Sequence, residues 1–198
     1  MTVAHRTVLQ GLTGLALVSL WYAAASADLR DISVELVDDR YNMSSRVYFA
    51  ATPESLYRVL SDYDLFVQFT SAFVETYNLP PDEQGLPGFY TRMEGCVLMF
   101  CKSFERRGYL LLEPGSEIVA IADPAVSDFK YCRERWHLAR EGDGTVLTYT
   151  FEMEPDFWVP PVIGPFLIKR TLRNDGRDAI DRIEALAQGR KPKPVGTP

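Results

Sequence analysis

The stretch from Pro160 to about Gln188 constrains this chain more than any other. It opens on Pro160-Pro161 and Gly164-Pro165, then runs without proline to Gln188, where Gly189 and Pro192 stop it. Ile163, Phe166, Leu167, Ile180, Ile183, Leu186 and Ala187 fall close to helical spacing, and Leu172, Gly176 and Ala179 continue the same face. Lys169, Arg170, Arg173, Arg177, Asp178, Asp181, Arg182 and Glu184 lie mostly off it. Proline at the start and glycine just past the end mark one long amphipathic helix. A helix with a single apolar stripe must bury it against something. The chain before it reads mostly as strand, so a sheet is the expected receiver.

The 198 residues are enough for one domain with its own core. Residues 1–27 stand apart from that domain. Arg6 gives a positive start, Val8 to Tyr22 is an apolar run, and Ala25-Ser26-Ala27 matches a small-x-small cleavage site. These are the three parts of a secretory signal peptide. The run is short for a membrane span, which needs about 20 residues. An uncleaved anchor is the alternative. The expected mature chain begins near Asp28 and works outside the cytoplasm, periplasmic or secreted. The domain covers 28–188, and 189–198 reads as a disordered tail. Net charge is -6, and loss of Arg6 with the leader makes it -7. That acidity speaks against nucleic acid as a partner and against tight docking to anionic lipid.

Ile32, Val34 and Leu36 alternate with Asp31, Ser33 and Glu35, which is strand periodicity. Asp38-Asp39 breaks the pattern and Tyr41 to Ala50 resumes it, as one bent strand or as a hairpin. Thr52-Pro53-Glu54-Ser55 is a helix start, with Thr52 as cap and Pro53 at the first position. A second short helix is expected at Leu65 to Phe69. Strands follow over 72–79, 89–94, 102–112, 118–122, 129–139 and 146–154. Glu141-Gly142-Asp143-Gly144 is the clearest hairpin turn. Consecutive strands with short turns form an antiparallel meander, and a twisted sheet of that size curls. The expected fold class is α+β: a curved antiparallel sheet closing on the long C-terminal helix, with two short helices after the first strand.

This order resembles the START-like, or helix-grip, superfamily (SRPBCC), including its polyketide cyclase/dehydrase and coenzyme-Q-binding groups. The opening motif is Ala51-Thr52-Pro53-Glu54-Ser55-Leu56-Tyr57-Arg58-Val59-Leu60-Ser61-Asp62-Tyr63. Phe129 to Leu138 with Trp136, then Gly144-Thr145 and the last strand, carry the rest. The resemblance covers about Arg46 to Gln188. It implies a cavity between sheet and helix that holds a hydrophobic small molecule or lipid. It does not separate carrier from enzyme, because the fold hosts both.

The residues favour the carrier. Past residue 27 the one histidine is His137, which must face away from Trp136 on a strand. There is no zinc-site spacing, nucleophile elbow, phosphate loop or dinucleotide fingerprint, so no metal and no cofactor is expected. For an enzyme of cyclase or dehydratase type, Glu134 and Glu94 are the candidate acid–base groups. The expected ligand-binding residues are Tyr90, Arg92, Trp136, Tyr149, Phe151 and Met153 from the strands, with Phe166, Leu167 and Ile180 from the helix. A filled core is the third reading. Cys96 and Cys101 bracket Val97-Leu98-Met99-Phe100. A bridge between them would stabilise by about 2 kcal/mol and hold an apolar tip for transient membrane contact. The alternatives are a continuous strand there, or a bridge from Cys132 to either cysteine.

Overall fold

The computed structural model describes residues 27–97, 100–159 and 164–195, leaving aside the side chains of 96–97, 100–101 and 164. Strands β1 (Asp28–Val37) and β2 (Arg40–Phe49) form a hairpin, which decides between the two expected arrangements. Its turn residues Asp38 and Asp39 have φ of 48° and 63°. Both central positions of a tight hairpin turn need that sign, and aspartate tolerates it better than most residues. Helix α1 (Pro53–Leu60) begins as its sequence predicts: the Ser55 N–H donates to Thr52 Oγ1 at 3.3 Å. Its buried face is Leu56, Val59 and Leu60. The next segment, Tyr63–Gln68, is a 3-10 helix instead of an α-helix. Asn78 ties it down, accepting from the Tyr63 N–H at 3.0 Å and donating to Asp62 at 2.7 Å.

Six further strands follow: β3 (Phe73–Leu79), β4 (Gly88–Val97), β5 (Phe100–Glu113), β6 (Glu117–Ala122), β7 (Phe129–Glu141) and β8 (Gly144–Pro155). They make one eight-stranded antiparallel sheet in the order β1-β2-β8-β7-β6-β5-β4-β3. The β7–β8 turn has Gly142 at φ 60°, as the Gly-Asp pair predicts. The strands from β3 to β8 are the expected meander. Local sequence does not reveal the closing step, in which β8 pairs with β2 across about a hundred residues. Met43 lies opposite Phe151 and Val47 opposite Leu147, so the apolar faces of the two strands coincide. Gly144 sits against Phe49 O and the Tyr48 ring, where a Cβ would collide.

Helix α2 (Gly164–Ala187) lies across the concave face. It ends where the sequence says. Gly189 takes φ 68°, its N–H donates to Leu186 O at 3.0 Å, and the Arg190 N–H donates to Ala185 O at 2.7 Å. That is a Schellman cap. Residues 160–163, the expected opening, lie outside the described chain.

Three contacts hold the helix. Ile180 and Ile183 are buried in the core. Gly176 crosses β2 so closely that a Cβ there would fall 2.7 Å from Met43 Cε. Glu184 is buried, and its carboxylate accepts from the Ala50 N–H at 2.9 Å and the Ala27 N–H at 3.0 Å. Bonds to a charged group contribute about 1.5–3 kcal/mol each. Glu184, assigned from sequence to the solvated side, is therefore an anchor.

Candidate functional site

A cavity of about 160 Å³ lies between α2 and the sheet. On the sheet side it is walled by Met43, Val47, Trp136, Leu147 and Tyr149; on the helix side by Leu172, Gly176, Ala179, Ile180 and Ile183. Phe66 and Phe69 of the 3-10 segment close a third side. Strand alternation produces the sheet wall. On β7, Cys132, Glu134, Trp136 and Leu138 are buried while Arg133, Arg135 and His137 are exposed. A small residue leaves the gap: Ala179 stands where a larger side chain would reach across to the sheet, while at Gly176 the helix already touches Met43.

One polar group of the wall belongs to a buried cluster. Glu134 Oε1 lies 2.6 Å from Arg106 Nη1, with side-chain exposures of 6% and 1%. Arg106 also donates from Nε to Thr91 Oγ1 at 3.1 Å and from Nη1 to Cys132 Sγ at 3.5 Å. The Phe89 and Phe151 rings flank the guanidinium, with centroids 5.9 and 5.8 Å away. The Tyr149 hydroxyl donates to Glu134 Oε1 at 3.4 Å. Burial works against the charge on Arg106, but attraction to Glu134 prevails and its pKa stands well above the ordinary value. Burial, then the Glu134 charge, pushes Tyr149 and Tyr63 well up, so both phenols stay protonated. Burial pushes the Cys132 thiol up to about 11. Three atoms of the cluster are buried without a protein partner: Glu134 Oε2, Arg106 Nη2 and Tyr63 Oη. Each such atom costs about 1–3 kcal/mol unless something else meets it.

Asp175 is the other carboxyl of the wall, on the helix side. Partial burial, then Asp178, pushes its pKa up to about 6.

The structure brings together part of the predicted set. Glu134, Trp136, Tyr149 and Ile180 line the cavity. Phe151 and Met153 share the inward face of β8 and are buried, but in the core beside the cavity, with Phe151 against Arg106. Tyr90, Arg92 and Glu94 are on the opposite side from the one expected. Their neighbours Phe89 and Thr91 point inward, so Tyr90 stacks on Tyr77 at 4.7 Å and Arg92 pairs with Glu75 and Glu94 outside. Phe166 is 63% exposed and Leu167 lies off the cavity wall. The reason is helical phase. Phe166 shares its stripe with Arg170, Arg173 and Arg177, at i+4, i+7 and i+11, whereas the inward stripe starts at Ile168 and Leu172.

Sequence reasoning missed Arg106, Thr91 and Asp175. Arg106 did leave a signal, sitting in phase with Phe104 and Leu110 on one strand. Cys96 and Cys101 are direct partners across the β4–β5 ladder. Their side chains, and Leu98-Met99 at the tip, lie outside the described residues, and so does the expected bridge. Cys132 is a buried free thiol, which removes it as a bridging partner. His137 faces outward, 3.5 Å from Glu117. Among the described residues no group of His, Cys, Asp and Glu could hold a metal ion.

A curved sheet gripping a terminal helix around an apolar cavity, with one buried polar cluster in the wall, defines a START-like domain. Residues 40–188 match the family described as polyketide cyclase/dehydrase and lipid transport, and the chain belongs to that family. Among solved structures it is similar to human STARD10 (15% identity, TM-score 0.60, covering 84% of this chain and 71% of that one). It is also similar to a STAR-related lipid transfer protein of Xanthomonas axonopodis (14%, TM-score 0.59, 83% and 99%). A third is the Zhui aromatase/cyclase of a Streptomyces species (12%, TM-score 0.58, 75% and 94%). At such identities these likenesses carry the fold alone. No curated protein sequence matches the chain.

Three predictions follow the charges. Glu134→Ala leaves Arg106 buried without its counter-charge and should destabilise by about 3–5 kcal/mol in urea unfolding. Arg106→Met with Glu134→Leu should recover most of that loss, since no lone charge remains. Asp175 has a folded-state pKa above its ordinary value, about 6 against 3.8. Its contribution is therefore fully present below about pH 4 and is lost as pH rises through 6. Asp175→Asn should raise stability at pH 8 by about 1–2 kcal/mol, discounted for its partial exposure, and leave it nearly unchanged at pH 4.

Proposed function

We propose that this protein is an exported carrier that holds a hydrophobic small molecule, or part of a lipid, between α2 and the sheet. The observation that carries the reading is an apolar cavity whose wall includes Glu134 with one oxygen unmet by protein. Apolar walls supply affinity and the polar spot supplies orientation, the usual division of labour in small-molecule sites. The volume bounds the guest. A dry cavity of about 150 Å³ takes a benzene, so the space suits one ring or a short alkyl segment. Burial at about 25 cal/mol per Å² offsets the cost of association for a guest of that size and little more, which favours a releasable cargo.

The export part rests on the leader pattern of residues 1–27. Amino-terminal sequencing of protein from the periplasmic fraction tests it, with Asp28 as the expected first residue. Membrane contact has local support in exposed Trp158 (79%) and Phe166, and in the Arg170, Arg173 and Arg177 stripe behind Phe166. The measurement is flotation with anionic liposomes, which Phe166→Glu should abolish.

An enzyme of cyclase or dehydratase type is the second reading, favoured by the same unmet Glu134 oxygen. Against it, Arg106 holds the carboxylate at 2.6 Å and no second acid–base group of the wall adjoins that pair except the high-pKa Tyr149.

Ala179→Phe separates a cavity from a filled core. A phenyl group there should occupy the space, abolish uptake of a neutral one-ring probe such as toluene in titration calorimetry, and leave the thermal midpoint equal or higher. Equal probe uptake by variant and wild type sinks the carrier reading.

A further inference from the structure

The charged groups that reach the cavity are of one sign. Among the described residues, Glu134 and Asp175 are the only ionisable side chains of its wall other than Tyr149, and no lysine, arginine or histidine is among them. The Tyr149 hydroxyl is turned to Glu134 Oε1, the Tyr63 hydroxyl adjoins the same carboxylate, and Glu134 Oε2 is buried. The Glu134 charge is balanced by Arg106 behind it. The Asp175 charge is not. No hydrogen bond or ion pair joins Asp175 to any of the described residues. The helix offers no cation to it. Arg173 and Arg177 lie on the outward stripe. Arg182 is committed to Phe69 O at 2.9 Å and Asp178 O at 2.8 Å. Asp178, one turn on, adds negative charge. Apart from the hydroxyls of Ser45 and Thr70, the remaining wall is aromatic and aliphatic, with Phe66, Phe69, Phe73 and Trp136 among its members.

Such a wall disfavours anions. A carboxylate or phosphate inside would meet two carboxyls and no donor strong enough to replace its water. A cation gains twice over: from the unbalanced Asp175 and from ring faces.

We propose that the cavity selects an organic cation, an amine on a ring-sized or short-chain apolar body, and that Asp175 is the residue that sets this selectivity. This rests on the carrier reading and narrows it to one class of ligand. The carboxylate also lowers fold stability near neutral pH where an asparagine of the same shape would not, as a group placed for binding is expected to do.

The test compares three ligands with the same one-ring body at pH 7.5: phenethylamine, phenethyl alcohol and 3-phenylpropionate. Titration calorimetry on the mature chain should give an amine affinity at least tenfold above the alcohol, with the acid unbound. Asp175→Asn should bring the amine to within about twofold of the alcohol. A thermal midpoint at pH 4 equal to that of wild type shows that the variant is folded. If alcohol and amine bind wild type equally, or the acid binds best, the charge inference is overturned while the carrier reading stands. If Asp175→Asn keeps the tenfold preference, Asp175 is not its source and the proposal fails. If no ligand binds and Ala179→Phe leaves probe uptake unchanged, the carrier reading fails and takes this inference with it.

Discussion

The structure depends on how α2 is held above the sheet. Glu184 fixes its carboxyl half to the backbone of Ala50, and Ile180 and Ile183 seat it in the core. At Gly176 the helix meets β2 in close contact. Between these points the inward residues are small, and the sheet curves away beneath them. A core packs to the density of an organic crystal wherever side chains allow it. Here the short side chain of Ala179 does not reach the sheet, and the gap beside it is the cavity. Support and void therefore come from the same stretch of helix.

The interior charges divide into two roles. Arg106 and Glu134 neutralise one another, and the Phe89 and Phe151 rings lie 5.9 and 5.8 Å from the guanidinium. A buried pair of this sort adds little stability over a well-packed apolar alternative, but losing one member is severe. Asp175 sits at the helix side without a counter-charge, and its pKa of about 6 records the energetic penalty. A paired charge and an unpaired one facing the same small space give the cavity a polarity that shape alone would not.

The surface is also uneven. The chain is acidic overall, at -6. Yet residues 169–177 of α2 carry Lys169, Arg170, Arg173 and Arg177 against Asp175, and none of the four cations forms an ion pair among the described residues. Net charge thus misjudges this face, where an arginine stripe follows an exposed Phe166.

Much of the fold was legible because its signals are local. Thr52-Pro53 caps α1, Gly142-Asp143 turns β7 into β8, and Gly189 ends α2, each through backbone geometry that a few adjacent residues decide. The inward phase of β7 and β8 was legible from long alternation with apolar residues on one side only. β4 was not, because Tyr90 and Arg92 offer as plausible an inner face as Phe89 and Thr91. Period tells which residues share a face; register against neighbouring strands tells which face is inside. The pairing of β2 with β8, and of Arg106 with a Glu134 28 residues away, needed the closed sheet. Sequence by itself determined most of the elements, their order, and such ends as the α1 cap and the α2 stop, since those follow from dihedral preference and short-range hydrogen bonds. Only tertiary structure decided that Phe166 faces out, that Glu184 anchors, and that Asp175 meets the cavity, since those depend on how far α2 turns before it touches the sheet.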